Sequence, residues 1–168
     1  MMLVRLASVD DAPLFLESTT EPGTRERAVA KHSLSPTTLE GWRNHLAIWT
    51  SPTYAASLAA FIGAEADDSV GWAMLSVSNA TAELSYVVLQ RFRHRGHGER
   101  LARHATRYAF EHSIAVQSVI AFIEPGNVGS ECIARALRMT EGALVDRNGV
   151  VHRKYEVSRE RFTSEGSA

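Results

Sequence analysis

The sequence predicts one α/β domain: a central mixed, largely antiparallel sheet flanked by helices, with its working site where a strand runs through a glycine turn into a helix. Three observations carry that expectation. Strand-length apolar runs and helix-patterned runs alternate along all 168 residues, a length that supports one core able to stand alone. Residues 55–62, 70–77 and 81–89 follow one another with short, turn-rich breaks, which reads as an antiparallel meander. Last, Glu83-Leu84-Ser85-Tyr86-Val87-Val88-Leu89 leads through Arg93-His94-Arg95-Gly96-His97-Gly98 into a run patterned as an amphipathic helix.

Each element has its own justification. Residues 3–9 alternate as a first strand with Val4, Leu6 and Ser8 on one face, and Asp10 or Asp11 then caps a helix carrying Leu14, Phe15 and Leu16. Residues 19–35 are polar and charged around the turn signal Pro22-Gly23, so they read as a loop with a short helical piece at 25–31. In Ser35-Pro36-Thr37-Thr38-Leu39-Glu40 the proline takes the first position of a second helix. Leu39, Trp42, Leu46 and Trp49 follow at helical spacing, and the helix ends near Ser51-Pro52.

Residues 63–69 read as a hairpin loop, and Ser78-Asn79-Ala80 as the turn into the third strand of the meander. Beyond the glycine turn, Leu101, Ala105, Tyr108, Ala109 and His112 mark one helix face. Residues 116–123 form a strand that stops at Glu124-Pro125-Gly126. Residues 127–138 then read as a helix, and 142–145 and 153–157 as two last strands about Arg147-Asn148-Gly149, where Asn-Gly signals a hairpin. Residues 164–168 read as a frayed end. The sequence has no repeat or low-complexity segment.

A formal net charge of −1, from 18 Lys and Arg against 19 Asp and Glu, argues against a protein built mainly to neutralise nucleic-acid phosphates. The single cysteine, Cys132, excludes an internal disulfide, and within a helix-patterned run it reads as a small packing residue. No apolar run approaches the ~20 residues of a membrane span. The first residues lack the apolar stretch and cleavage site of a secretory signal, so the expectation is a cytoplasmic protein that meets no membrane.

A glycine turn opening a helix is a phosphate cradle. The first N–H groups of a helix have no intrahelical partner and the helix dipole favours an anion, while glycine lets a ligand approach the main chain. A phosphorylated cofactor is therefore expected. The spacing is neither that of a dinucleotide fold, Gly-x-Gly-x-x-Gly, nor that of a P-loop, Gly-Lys-Ser/Thr.

Arg93-x-x-Gly96-x-Gly98 after an apolar strand resembles the acyl-CoA pyrophosphate loop of the GNAT N-acetyltransferase superfamily, Gln/Arg-x-x-Gly-x-Gly/Ala. Asn127-Val128-Gly129-Ser130 is similar to the Asn-x-x-Ser/Ala opening of that family's next helix, and the element order matches along almost the whole chain. The resemblance implies the GNAT fold and transfer of an acetyl group from acetyl-CoA, with no metal, to a primary amine of a small molecule or of a peptide or protein. It also implies the site. The backbone of Val87, Val88 and Leu89 would take the pantetheine arm as an added strand. Arg93, Arg95, Gly96, His97, Gly98, Glu99 and Arg100 would hold the pyrophosphate, with Asn127 and Ser130 beside the cofactor.

For the chemistry, Glu83 is the candidate base, matching a strand glutamate that several relatives use through water; it reads equally as an ordinary exposed or ion-paired strand carboxylate. A backbone N–H near Val88 is the candidate donor to the developing oxyanion. Many relatives carry a tyrosine seven residues after the helix-opening asparagine, where this chain has Ala134. Ser130 or Tyr155 would then serve the leaving thiolate, unless Ser130 is only a helix cap. Arg138-Met139 replaces the family's Gly-Phe, and Phe122 stands where some peptide N-terminus acetylating relatives carry a glutamate. The Trp42 and Trp49 stripe reads as core, with an acceptor pocket as the second reading. Two alternatives stay open: a non-catalytic acyl-CoA-binding or sensing domain, which Ala134 favours, and an RNA contact along Arg93 to Arg103. A homodimer is also left open.

Overall fold

The structure, a computed structural model, describes residues 2–22, 36–54 and 57–164; the helical piece expected at 25–31 and residues 165–168 lie outside the described residues. The elements run β1 (Met2–Leu6), a 3-10 turn (Val9–Asp11), α1 (Ala12–Thr20), α2 (Leu39–Trp49), β2 (Leu58–Glu65), β3 (Asp68–Ser78) and β4 (Thr81–Val88). A second 3-10 turn (Gln90–Phe92) leads to α3 (His97–His112), β5 (Ser118–Ile123), α4 (Val128–Ala136), β6 (Thr140–Arg147), β7 (Val150–Ser158) and α5 (Arg159–Thr163). The seven strands form one sheet in the order β1-β2-β3-β4-β5-β7-β6. Every pairing is antiparallel except β4 with β5, which α3 joins as a crossover.

Helices cover both faces. Phe61 of β2 packs edge-on to His104 and Tyr108 of α3, whereas Trp72 of β3 stacks on Phe15 of α1 at 5.1 Å and donates to the Ser18 hydroxyl at 2.9 Å. Because Phe61 pairs with Ala73, strand alternation puts Trp72 and Phe61 on opposite faces. Phe15 also meets Trp42 and Trp49. Trp42 is buried core and Trp49 is half-buried against it, which favours the packing reading of that stripe.

Several local expectations are corrected. The β1 strand ends at Leu6, which lies 56% exposed on the sheet edge, and Ser8 is no strand residue but the cap of the first helical turn. Asp11 is the cap position of α1 as expected, but its carboxylate faces back, accepting from the Ser8 N–H at 2.8 Å and from both Arg5 Nη atoms at 2.8 and 2.6 Å. Burial pushes that carboxyl up, but the Arg5 and Ser8 hydrogen bonds outweigh it and hold the group below its ordinary value. Pro36 lies ahead of α2, whose cap is Thr38, accepting from the Gly41 N–H. The loop expected at 63–69 shrinks to a tight turn with Ala66 at φ 53°, since both strands extend into it. His112 is exposed, stacked on Tyr108 at 4.0 Å. The last two strands meet over Asn148 (φ 56°) and Gly149 (φ 80°) as the Asn-Gly signal predicts. β7 inserts between β5 and β6, and α5 was not legible in the sequence.

Gly71 governs the geometry of β4. A Cβ there would stand 2.2 Å from the Val87 carbonyl oxygen and 2.9 Å from Val88 Cα, atoms of a paired main chain that cannot step aside. Gly71→Ala is expected to cost ~1–3 kcal/mol, the scale of overpacking, read as a lower urea midpoint at unchanged m-value. A midpoint equal to the parent's would mean that β3 and β4 relax freely here.

Candidate active site

The sheet opens along β4. β4 and β5 pair only through Thr81, Ala82 and Glu83 against Ser118, Val119 and Ile120; beyond them β4 stays on β3 and β5 stays on β7. Leu89 N–H donates to the Val70 carbonyl at 2.9 Å, so the alternation of an antiparallel ladder gives the main-chain groups of Val87, Ser85 and Glu83 to β3; Leu84 N–H still closes the Glu83–Ile120 pairing, and the main-chain groups of Tyr86 and Val88 turn into the opening. Of the stretch from Val87 to Leu89, then, only Val88 presents its N–H there. Its carbonyl accepts from Arg93 Nε at 3.0 Å.

The opening leads to the N-terminus of α3. Gly96 is its cap, at φ 78°, a left-handed conformation that disfavours side chains. Arg100 N–H is the first to close on the Gly96 carbonyl, at 3.2 Å, which leaves the N–H groups of His97, Gly98 and Glu99 to a ligand. Arg95 and Arg100 are exposed beside this turn. Two side chains placed there by sequence are turned away. Arg93 reaches back to Val88 and to Glu21, at 3.3 Å, clamping the end of α1 to β4. His97 is 2% exposed, its ring edge-on to Phe92 and 3.4 Å from a Glu65 carboxylate oxygen, so only its main chain faces the loop. Glu99 pairs with Arg103 at 3.0 Å, one turn along the helix.

The two faces of the opening carry different chemistry. On the face of α3 and α4, the Tyr86 ring lies near Gly98, 3.9 Å from where a Cβ would stand. Its hydroxyl is buried beside Ser130 yet closes no hydrogen bond among the described residues. Burial pushes that hydroxyl up to about 12, Ser130 opposing the shift. Ser130 donates its N–H to Asn127 Oδ1 at 3.4 Å, so Asn127 is the cap of α4. Ala134, one turn on, is 2% exposed and offers no hydroxyl. Tyr155 pairs with Ala121 in β5; its ring is 3% exposed, and its hydroxyl is raised by burial and by the Glu141 and Glu131 charges.

The opposite face carries Glu83. Its partner in β5 is Ile120, one residue before Ala121, so Glu83 and Tyr155 look in opposite directions. Arg147 Nη1 donates to Glu83 Oε1 at 2.6 Å and Nη2 to Oε2 at 3.2 Å, and the guanidinium carbon sits 4.1 Å from the ring centroid of Phe122. Sequence reasoning used Arg147 only as a turn marker and missed Tyr86 as a polar group. The arrangement can hold an extended ligand along β4 with a phosphate end on α3, a carboxylate on one face and a buried hydroxyl on the other.

Comparison with known proteins bears on the fold that carries this site. A family model described as an acetyltransferase (GNAT) domain matches residues 1–140. No curated protein matches the chain in sequence. Among solved structures, a ribosomal-protein-S5-alanine acetyltransferase from Vibrio fischeri superposes with a TM-score of 0.79 at 15% identity, covering 96% of this chain and 94% of that one. The aminoglycoside acetyltransferase AAC(6′)-Ib in complex with coenzyme A gives 0.77 at 15% identity, over 99% and 100%. A spermidine N-acetyltransferase chimera from Vibrio cholerae and hSSAT gives 0.76 at 9% identity, over 96% and 98%. At these identities the likeness is one of fold.

Proposed function

The chain belongs to the GNAT acetyltransferase family, and from that membership we propose that it transfers an acetyl group from acetyl-CoA to a primary amine of a small molecule or of a peptide or protein. The observation that carries the reading is the unpaired length of β4 running into the open N-terminus of α3. An added strand on β4 and a pyrophosphate on helix N–H groups are what a pantetheine chain with a phosphate end requires. The acceptors named for the three solved structures, a ribosomal-protein alanine, aminoglycosides and spermidine, are all amines.

Bound acetyl-CoA supplies an activated carbonyl and a thiolate leaving group. The protein's own groups do the rest. The N–H groups of His97, Gly98 and Glu99 hold the pyrophosphate, with Arg95 and Arg100 adding charge at the rim. Tyr86 and Val88 bind the pantetheine through main-chain groups, and the Val88 N–H faces the negative charge that grows on the carbonyl oxygen. Through water, Glu83 takes the proton that the acceptor ammonium must lose before its nitrogen can attack. The Tyr86 hydroxyl, which stays protonated across the working pH range, and the Ser130 hydroxyl stand on the other face to serve the departing sulfur.

Binding alone is tested by melting. A ligand that prefers the native state stabilises it by ~2.7 kcal/mol at a hundredfold excess over its dissociation constant, so millimolar acetyl-CoA should raise the melting temperature. An unmoved transition would remove the cofactor reading. A second reading, an acyl-CoA sensor without turnover, draws on Ala134 and on the engagement of Glu83 by Arg147. It predicts the same melting shift with no CoA thiol released on incubation with an amine panel, whereas a transferase releases thiol with at least one amine.

A further inference from the structure

The contacts of Arg147 describe a cation site that is already filled. A carboxylate accepts both ends of its guanidinium fork, at 2.6 and 3.2 Å, and an aromatic ring lies under the same group at 4.1 Å from the guanidinium carbon. A bidentate carboxylate and a ring face are the two standard ways of recognising a cation, here combined on one group. Its two walls come from the two strands that part. Glu83 is the last residue of β4 to pair with β5, and Phe122 lies two residues past Ile120, its partner. The filled site therefore stands at the mouth of the opening, on the face away from α3 and α4.

We infer that Glu83 and Phe122 form the recognition site for the acceptor's ammonium group, and that Arg147 occupies it at rest as an internal surrogate cation, leaving when the acceptor arrives. This rests on the amine acetyltransferase reading above.

The occupant is built to leave. Arg147 ends β6, an edge strand paired on one side only, and precedes the two-residue turn at Asn148 and Gly149. Residues 140–146 before it are exposed, so little packing resists a change of position. The ion pair itself is about one-third exposed, 31% for Glu83 and 33% for Arg147, so water and an incoming cation can both reach the carboxylate. Exchange of one cation for another leaves the Glu83 charge compensated throughout. It also sets up the chemistry: as the acceptor nitrogen reaches the thioester, one proton passes from its ammonium through water to the Glu83 carboxylate, which gives a neutral amine with a free lone pair and a carboxylic acid.

The competing account is that Arg147 is a fixed clamp that orients Glu83. The two separate by binding of small cations to the full chain without acetyl-CoA, so that the result does not depend on turnover. Methylguanidinium and propylammonium are titrated by NMR against the parent, Arg147→Ala, and Arg147→Ala combined with Glu83→Gln or with Phe122→Leu. If Arg147→Ala does not fold, as judged by circular dichroism, Arg147→Met replaces it. Emptying the site should tighten both probes at least tenfold over the parent, and each second substitution should reverse the gain. Equal binding by parent and single variant overturns the proposal, as does a gain that survives both second substitutions. A gain for methylguanidinium alone also overturns it, since the site would then be a guanidinium slot and not an amine site. Failure of the acetyltransferase reading looks different: the cations bind as stated while acetyl-CoA leaves the melting temperature unmoved.

Discussion

Replacing Gly98 by aspartate should weaken acetyl-CoA binding about 10²-fold or more while leaving the fold nearly as stable. A carboxylate on the first turn of α3 would face the pyrophosphate, and two unit charges 4 Å apart repel by ~4 kcal/mol at the effective dielectric of a protein surface, close to a thousandfold in affinity. The fold has less to lose. A Cβ at Gly98 would press on Ile133 Cδ1 at 2.9 Å, the far end of a flexible side chain that can rotate away, and an acidic residue in a first helical turn gains ~0.3–1 kcal/mol from the helix dipole. Gly98→Ala separates bulk from charge, because it adds the same Cβ without the carboxylate and should keep most of the affinity. Calorimetry with acetyl-CoA on the three proteins decides the matter. Equal affinity for parent and Gly98→Asp would take the α3 N-terminus out of the site, and equal losses for Ala and Asp would make the effect steric.

How far the sequence could lead depended on the range of the interaction being read. The strand, glycine turn and helix at residues 83–107 were legible because each signal is local: Gly96 is needed for a φ of 78°, and alternation gives way to helical spacing within a few residues. Asn148-Gly149 announced its hairpin for the same reason. What could not be read is set by pairings between distant residues. The parting of β4 from β5 after Glu83 is decided by which strand each prefers over its last half, and nothing in either run states that choice. Arg147 lies 64 residues from Glu83, and its role comes from the return of β6 and β7 across the end of β5. His97 and Arg93 were misplaced because a motif specifies main-chain geometry better than side-chain direction: the loop needs their N–H groups and conformations, while the imidazole and guanidinium turn to Glu65, Glu21 and Val88. Tyr86 passed as one more apolar strand residue. Only its neighbourhood, between Gly98 and Ser130, reveals a buried hydroxyl that closes no hydrogen bond among the described residues.

Glu83→Gln should lower turnover with a high-pKa amine by ~10²-fold or more at neutral pH, the scale on which a positioned general base contributes. Glutamine keeps the size of the side chain and one acceptor oxygen but cannot take a proton. Acetyl-CoA affinity should hardly change, because the groups proposed to bind the cofactor are main-chain groups of Tyr86, Val88 and the α3 turn, on residues this substitution does not touch. The variant also loses the charge that holds Arg147 and would hold the acceptor ammonium, leaving the Phe122 ring face to attract either cation; acceptor KM should therefore rise together with the fall in kcat. Raising the pH separates the base from a merely structural carboxylate. As pH climbs toward the pKa of the amine, more acceptor arrives deprotonated and needs no base, so the variant should recover relative to the parent. A carboxylate that only anchors Arg147 would give a deficit indifferent to amine protonation, and the ratio of the two rates would then stay flat across the range. A flat ratio, or unchanged turnover at neutral pH, would dismiss Glu83 as base while leaving the cofactor site on β4 and α3 untouched, since that site is read from melting and calorimetry with no acceptor present.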